Sequence, residues 1–163
     1  MNRIQVAKVR DAHGLKGELF VVSFSRDCLW IEKCESFWLK EREFRILSFR
    51  RHKNGVIAVL EGIGDRTEAE KWIGFPVEIE TESLISKKGE NLFLREIEGF
   101  EVVQSEQSLG PIVGFSSNGV QDLLQVETLN GVQEIPLIPE FLVEIQWSQK
   151  KLFMNLPEGL IQT

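Results

Sequence analysis

A short cluster of polar and glycine residues near the N-terminus could do chemistry. The segment His13-Gly14-Leu15-Lys16-Gly17 lies between two runs of β-forming residues, Arg3 to Val9 and Leu19 to Phe24. A glycine-hinged turn of this kind offers a lysine cation, a titratable imidazole and free backbone N–H groups. These groups suit an anionic or carbonyl-rich partner. Many turns with this composition only reverse the chain, so a purely structural turn is the alternative.

A second cluster is basic and consists of Arg50, Arg51, His52 and Lys53. It leads into Asn54-Gly55, and Asn-Gly is the preferred pair for a two-residue type I′ turn. The flanking runs, Phe44 to Phe49 and Val56 to Leu60, predict a β-hairpin with the cations at its tip. These cations could contact phosphates. The alternative is a charged hairpin end that resists edge-to-edge aggregation.

Few residues could form a catalytic or metal site. The chain has two histidines, two cysteines and no tyrosine, with no nucleophile elbow and no phosphate-binding glycine motif. Cys28 and Cys34 lack the spacing of a metal or redox pair, so we expect two buried reduced thiols. His13 and His52 are distant in sequence, so we predict no metal and no cofactor. We therefore predict a binding protein; the alternative is a small enzyme with His13 as acid–base group and Lys16 as oxyanion partner.

The first half of the chain predicts a small β-barrel that holds both clusters. Besides the runs above, Ser36 to Leu39 and Pro76 to Glu80 have the composition of strands. The Thr67-Glu68-Ala69-Glu70 pattern is that of a capping box, and Gly74 fits the position after a helix. We therefore expect one short helix from Glu68 to Ile73. Five or six strands with one short helix indicate a closed barrel.

The second half predicts another small β-barrel. After a polar stretch, six short apolar runs restart, separated by Asn-Gly pairs and prolines. The runs are Phe100 to Val103, Pro111 to Phe115, Leu123 to Thr128, Val132 to Ile135, Phe141 to Ile145 and Leu152 to Asn155. Short strands without a long helix must bury their apolar faces against one another. We predict a mainly β protein with one barrel over residues 1–82, a linker over residues 83–91 and a second barrel over residues 92–163.

Charge is unevenly divided between the two halves. The whole chain has a formal net charge of −6, but residues 1–90 carry 16 basic and 15 acidic side chains, whereas residues 91–163 carry 3 basic and 10 acidic ones. A half with this negative charge is a poor candidate for binding nucleic acid and a good candidate for binding a basic protein. The alternative is acidity that only maintains solubility. No apolar stretch approaches the roughly 20 residues of a transmembrane helix, so we expect a cytoplasmic protein.

Several motifs resemble those of the ribosome maturation factor RimM family. In the first half they are Val6-Ala7-Lys8-Val9, His13 to Glu18, Ser23-Phe24 and Leu60 to Gly74. In the second half they are Ile97 to Val103, Leu109-Gly110, Asp122 to Leu124, Glu134 to Pro136 and Pro157 to Leu160. Together they cover nearly the whole chain in the family's order. The resemblance implies a six-stranded N-terminal barrel followed by a PRC-barrel.

The resemblance also implies a non-enzymatic assembly factor for the small ribosomal subunit. Such a factor would bind the head of the immature subunit through a basic ribosomal protein, the nineteenth of the small-subunit series, and assist processing of the small-subunit rRNA. Contact with the head is expected from His13, Gly14, Leu15, Lys16 and Gly17. Contact with rRNA is expected from Arg50, Arg51 and Lys53. We expect a monomer with no membrane partner and no small-molecule substrate.

The ribosomal protein is expected to meet an apolar anchor framed by carboxylates, made of Leu92, Phe93, Leu94, Glu96, Ile135 and Pro136. The family typically has a Tyr-Tyr-Trp-like run after the linker. This chain has Leu92-Phe93-Leu94 there and keeps one aromatic ring. Packing of the domain junction is the alternative role for these three residues. For the whole chain, a PRC-type adaptor unrelated to ribosomes is a further alternative.

Overall fold

A computed structural model of the protein describes residues 3–24, 29–85 and 93–161. The chain divides into two compact units, one of residues 5–83 and the other of residues 84–163 together with residues 1–4. Both units are built mainly of β-strands, so the predicted mainly β fold class is confirmed. The linker predicted over residues 83–91 lies largely outside the described residues, and its boundaries stay a prediction.

The first unit is a closed six-stranded barrel. Its strands are β1 (Arg3–His13), β2 (Glu18–Ser23), β3 (Ser36–Leu39), β4 (Arg42–His52), β5 (Gly55–Leu60) and β6 (Pro76–Glu80). Their order around the barrel is β1-β2-β5-β4-β3-β6. Alternate side chains point inward, so Phe37 and Leu39 of β3 and Val77 and Ile79 of β6 are buried in the interior. Each strand overlaps one of the runs that the sequence predicts.

The hairpin between β4 and β5 forms as predicted, but its turn lies one residue earlier. His52 pairs with Gly55, so Lys53 and Asn54 form the two-residue turn, with φ of Lys53 at 53°. Gly55 is the first residue of β5. A Cβ atom there would lie 2.0 Å from the carbonyl oxygen of Val21 in the neighbouring strand. The close approach of two strands, and not the turn, therefore requires this glycine.

The first α-helix, α1, spans Arg66–Glu70 with Lys71 as its C-cap, so it begins before Glu68 and ends before the predicted Ile73. Its N-cap is Asp65, whose Oδ1 accepts a hydrogen bond from the backbone N–H of Glu68 at 2.8 Å. The predicted start at Glu68 with Thr67 as cap is therefore wrong. Asp65 stands three residues before Glu68 and caps at least as well as threonine, so it begins the helix first. A 3₁₀ helix over Leu29–Lys33 and a short helix, α2 (Thr81–Leu84), complete the helical segments of residues 29–85.

The second unit is a six-stranded sheet preceded by helix α3 (Phe93–Ile97). Its strands are β7 (Glu101–Gln104), β8 (Gln107–Ser117), β9 (Asp122–Thr128), β10 (Gly131–Pro136), β11 (Leu142–Gln146) and β12 (Lys151–Met154). The strand order is β10-β9-β8-β7-β12-β11, which places β10 and β11 at the two edges. Strands β7 and β12 pair in parallel, and the other pairs are antiparallel.

The inner face of this sheet is aliphatic. Leu124 pairs with Ile135 of β10 and with Phe115 of β8. Ile112, Leu124 and Ile135 are each at most 1% exposed. Because successive side chains of a strand point to opposite faces, the residues between them form an outer face with different chemistry.

Candidate binding surfaces

The N-terminal loop that the sequence singles out is a four-residue connection at one end of the barrel. His13 pairs with Glu18, so residues 14–17 connect β1 to β2. The φ angles of Gly14 and Gly17 are 73° and 86°, values that favour glycine. Leu15 is 85% exposed, and Lys16 is exposed beside it. The loop therefore presents one apolar and one cationic side chain between two glycines.

The start of helix α1 holds this loop in place. The backbone N–H of Arg66 donates a hydrogen bond to the carbonyl oxygen of Leu15 at 3.2 Å. Gly17 is buried against the N-cap, where a Cβ atom would lie 2.5 Å from the carbonyl oxygen of Asp65. A Cβ atom on Gly14 would meet no atom within 4 Å. Gly17 thus permits a close contact between loop and helix that the sequence analysis did not predict.

His13 and His52 lie side by side, although they are far apart in the sequence. Their ring centroids are 5.9 Å apart, and Phe20 contacts His52 edge-on at 5.3 Å between centroids. The register shows how they meet. Leu19 pairs with Ala58 and Val22 with Gly55, so the β1–β2 loop and the β4–β5 turn lie at opposite ends of β2. The two rings approach each other over Phe20, and this contact joins the two clusters of the sequence along one side of the barrel.

We call the two clusters together the basic patch; its residues, which extend along the barrel from the loop to the turn, are His13, Lys16, Arg50, Arg51, His52 and Lys53. Two of its cations form ion pairs within the barrel: Arg50 Nη1 lies 2.7 Å from Glu18 Oε2, and Arg51 Nη2 lies 2.8 Å from Glu32 Oε1. Exposed pairs of this kind contribute at most about 1 kcal/mol. A phosphate could compete with these carboxylates for the arginines. Lys53 is exposed in the β4–β5 turn.

The geometry gives the enzyme alternative no support. The ring of His13 packs beside another imidazole, whereas an acid–base histidine is normally oriented by a carboxylate or carbonyl group. Within residues 3–24, 29–85 and 93–161, no three His, Cys, Asp or Glu side chains gather in a group that could bind a metal ion. The same residues contain no helix that is long and apolar enough to cross a membrane.

Cys34 is a free, half-buried thiol between the 3₁₀ helix and β3. Burial raises its pKa to about 12; a hydrogen bond with Ser83 acts in the opposite direction, and the charge of Glu80 raises the pKa further. Since only the thiolate is an effective nucleophile or metal ligand, this residue is inert at neutral pH. Cys28, the other cysteine, lies outside the described residues.

The predicted apolar anchor of the second unit is described only in part. Leu92 and the side chain of Phe93 lie outside the described residues, while Leu94 and Glu96 are half-buried on helix α3. Ile135 is 0% exposed. Its side chain fills the inner face of the sheet, so the structure does not support the predicted contact of this side chain with a partner. Pro136, the next residue, is half-buried at the end of β10 and belongs to the outer face.

The outer face of β9 and β10 carries exposed groups that the sequence analysis missed. Val132 pairs with Glu127, and Glu134 pairs with Gln125, so these four side chains share one face. Val132 is 58% exposed, and both glutamates are exposed. The sequence of β10, Gly-Val-Gln-Glu-Ile-Pro, has no strict alternation that could have marked this face, because each face carries both an apolar and a polar residue. The period of two shows that two faces exist, but only packing decides which face is inner.

Comparison with known proteins assigns both units to one family. The model of the RimM N-terminal domain matches residues 4–84, and the model of the RimM PRC barrel domain matches residues 94–160. The chain is 42% identical to the ribosome maturation factor RimM of Bdellovibrio bacteriovorus, over 95% of this chain and 92% of that protein. It is 29% identical to the ribosome maturation factor RimM of Oleidesulfovibrio alaskensis, over 98% of this chain and 94% of that protein.

Among solved structures, the N-terminal domain of RimM from Thermus thermophilus covers 53% of this chain at 22% identity; 98% of that domain is matched, with a TM-score of 0.47. The family assignment itself comes from the two domain models and from the 42% identity over nearly the full chain. These matches confirm the resemblance that the sequence motifs indicate. The chain belongs to the RimM family of ribosome maturation factors.

Proposed function

We propose that this protein is a non-enzymatic assembly factor that binds the head of the immature small ribosomal subunit and assists processing and maturation of the small-subunit rRNA. Its direct partner in this proposal is a basic ribosomal protein of the head, the nineteenth of the small-subunit series. Membership of the RimM family supports a role in ribosome maturation. Binding to the head, binding to this ribosomal protein and the role in rRNA processing go beyond family membership and are the specific content of the proposal.

The observation that carries the choice of partner is the acidity of the second half. Residues 91–163 hold 3 basic and 10 acidic side chains, and 3 minus 10 gives a net charge of −7. Several of these carboxylates, including Glu127 and Glu134, are exposed on the sheet. Such a surface repels the phosphates of rRNA and attracts a basic protein. Complementary charge of this kind raises the association rate and orients the two proteins.

The basic patch of the first unit supports a separate contact with rRNA. Lys16 and Lys53 lie in the loop and the turn at opposite ends of β2, and the two arginines lie in the strand that leads to the turn. Cations distributed along one side of a barrel can follow a phosphate backbone, and each phosphate contact releases bound counterions. We propose that this patch faces the rRNA of the head, while the acidic unit binds the ribosomal protein.

The proposed mechanism is differential binding. A factor without a catalytic group can change the folding of the subunit head only if it binds one arrangement of the head more tightly than another. Its effect on the population of that arrangement is limited by this difference in affinity. Release then follows when maturation removes the favoured arrangement.

Co-sedimentation tests the proposal directly. Purified protein is centrifuged with free small subunits, with large subunits and with assembled ribosomes, at low and at moderate salt. We expect selective pelleting with free small subunits, weakened by salt because the rRNA contact is electrostatic. Failure to pellet with any particle, while circular dichroism shows folded protein, would contradict the proposal and favour the adaptor alternative.

A further inference from the structure

We infer that strand β10 is the edge on which the basic ribosomal protein docks, by adding an extended segment as one more strand of the sheet. This inference rests on the proposed function, because it takes the partner from there and names how that partner binds. The docking edge shares strand β10 with Ile135 and Pro136 of the predicted anchor, but the side chains that it uses are Val132 and Glu134 of the outer face. The mode of recognition is β-strand addition, in which main-chain hydrogen bonds give affinity and alternate side chains give specificity.

The topology places β10 at an edge of the sheet. In the order β10-β9-β8-β7-β12-β11, it pairs with β9 on one side. That pairing is regular from Gly131 to Pro136 without a shift of register. An edge strand directs part of its backbone N–H and C=O groups away from the sheet, where they can pair with another chain. Pro136 has no N–H group, so the pairing segment ends at Ile135.

The second edge, β11, is less suited to adding a strand. Its pairing with β12 shifts register between Leu142 and Glu144, and such an irregularity bends the strand and interrupts the ladder. It nevertheless carries side chains of the same kinds, since Val143 is 49% exposed and Glu144 is exposed. The two edges thus match in chemistry and differ in backbone regularity.

Side chains on the outer face of β10 define the chemistry of the incoming segment. Val132 and Glu134 stand two residues apart on this face, and Glu127 lies directly opposite Val132 on β9. A strand placed beside β10 would bring its side chains to within about 5 Å of these groups. The fitting segment therefore has an aliphatic residue beside Val132 and a lysine or arginine beside Glu134, again two residues apart. An acidic or uniformly apolar segment would not fit this pair.

The test compares matched variants of the two edges. Val132→Lys with Glu134→Lys changes β10, and Val143→Lys with Glu144→Lys makes the same change of charge on β11. Affinity of each full-length protein for the purified basic ribosomal protein is measured by isothermal titration. We expect the β10 variant to bind roughly tenfold or more weakly, as for a contact at the centre of an interface. The β11 variant is expected to stay within about twofold of the wild type.

Hydrogen exchange separates strand addition from contact of side chains alone. In the complex of the wild-type protein, we expect slower exchange of backbone amides over residues 131–135 and unchanged exchange over residues 142–146. Equal loss of affinity in both variants, or slower exchange at β11 only, would overturn the choice of edge. Binding without slower exchange at β10 would overturn the strand-addition mode.

A wrong choice of partner would give a different result from a wrong choice of edge. If wild-type protein does not bind the ribosomal protein at all, the proposed function loses its partner, and the docking edge is overturned with it. If wild-type protein binds and only the edge experiments fail, the partner stands. Glu134→Gln provides a milder variant should the double substitution unfold the second unit, and circular dichroism of each variant establishes that the sheet is intact.

Discussion

At the scale of single residues, two glycines of the same loop have different physical roles. Gly14 and Gly17 both have a positive φ, which costs other residues about 1–2 kcal/mol. Only Gly17 also lies against helix α1, with its missing Cβ directed at the carbonyl oxygen of Asp65. The loop conformation therefore depends more on the second glycine than on the first, although the sequence treats them alike.

Replacement of each glycine by alanine separates these roles. Gly14→Ala should lower the free energy of unfolding of the first unit by about 1 kcal/mol, because only the backbone conformation is strained. Gly17→Ala should lower it by more than about 2 kcal/mol, because the methyl group also collides with the helix backbone. Urea unfolding followed by fluorescence of Trp30, Trp38 and Trp72 measures both. Equal losses would mean that the loop moves away from the helix at little cost.

Lys16 is the residue most directly tied to partner binding. Its side chain is exposed at the tip of the loop, so Lys16→Glu should weaken binding to free small subunits without unfolding the barrel. If the lysine contacts a phosphate, the slope of log affinity against log salt should also fall by about 1. Lys8→Glu changes the same charge at an exposed position of β1. Unchanged affinity of the Lys16 variant, or the same loss in both, would contradict a specific contact.

At the scale of elements, the short helix α1 positions the loop. Two hydrogen bonds at its N-terminus matter here. Asp65 caps the helix by accepting one from the N–H of Glu68, and the N–H of Arg66 donates the other to the carbonyl oxygen of Leu15 in the loop. A helix of one and a half turns has little stability of its own. The cap at Asp65 is therefore important for the stability of this helix. Because the loop is bonded to the start of the helix, loss of the cap should also disturb the loop.

Alanine substitutions test which residue caps the helix. Asp65→Ala should destabilise the first unit by about 1 kcal/mol, since the N–H of Glu68 loses its acceptor. Thr67→Ala should change stability by less than about 0.5 kcal/mol, because Thr67 is an exposed residue inside the helix. Thermal unfolding by circular dichroism compares the two. A larger loss of stability from Thr67→Ala would mean that Thr67 caps the helix, as the sequence predicted.

At the scale of the whole molecule, two compact units carry surfaces of opposite charge. Cations lie along one side of the barrel between the β1–β2 loop and the β4–β5 turn, whereas carboxylates dominate the sheet. Each unit has its own hydrophobic core, so each can present its surface without help from the other. A protein built in this way can bind two components of one particle, a nucleic acid and a basic protein, by different forces.

Separate surfaces predict additive effects. Lys16→Glu and the double substitution in β10 change different units, so their losses in free energy of binding to free small subunits should add within about 0.5 kcal/mol. Quantitative co-sedimentation of the single variants and of the combined variant measures the sum. A combined loss clearly smaller than the sum would mean that either change alone already releases both contacts.

The sequence alone determined the mainly β class, the strand runs, the family motifs and the division of charge, because these depend on local composition and on the period of two in each strand. It also placed a chain reversal at residues 13–18 and a hairpin at residues 52–55. In the first case two glycines permit the turn. In the second, Gly55 marks the hairpin although it serves the strand pairing and not the turn.

Only the tertiary structure decided which distant residues meet. The neighbourhood of His13 and His52 depends on the order and register of the strands in a closed barrel, which are set by long-range pairing. The start of helix α1 depends on Asp65, which also contacts the loop. In β10, Ile135 is buried and Val132 is exposed because packing chose one of two faces that a period of two leaves equivalent.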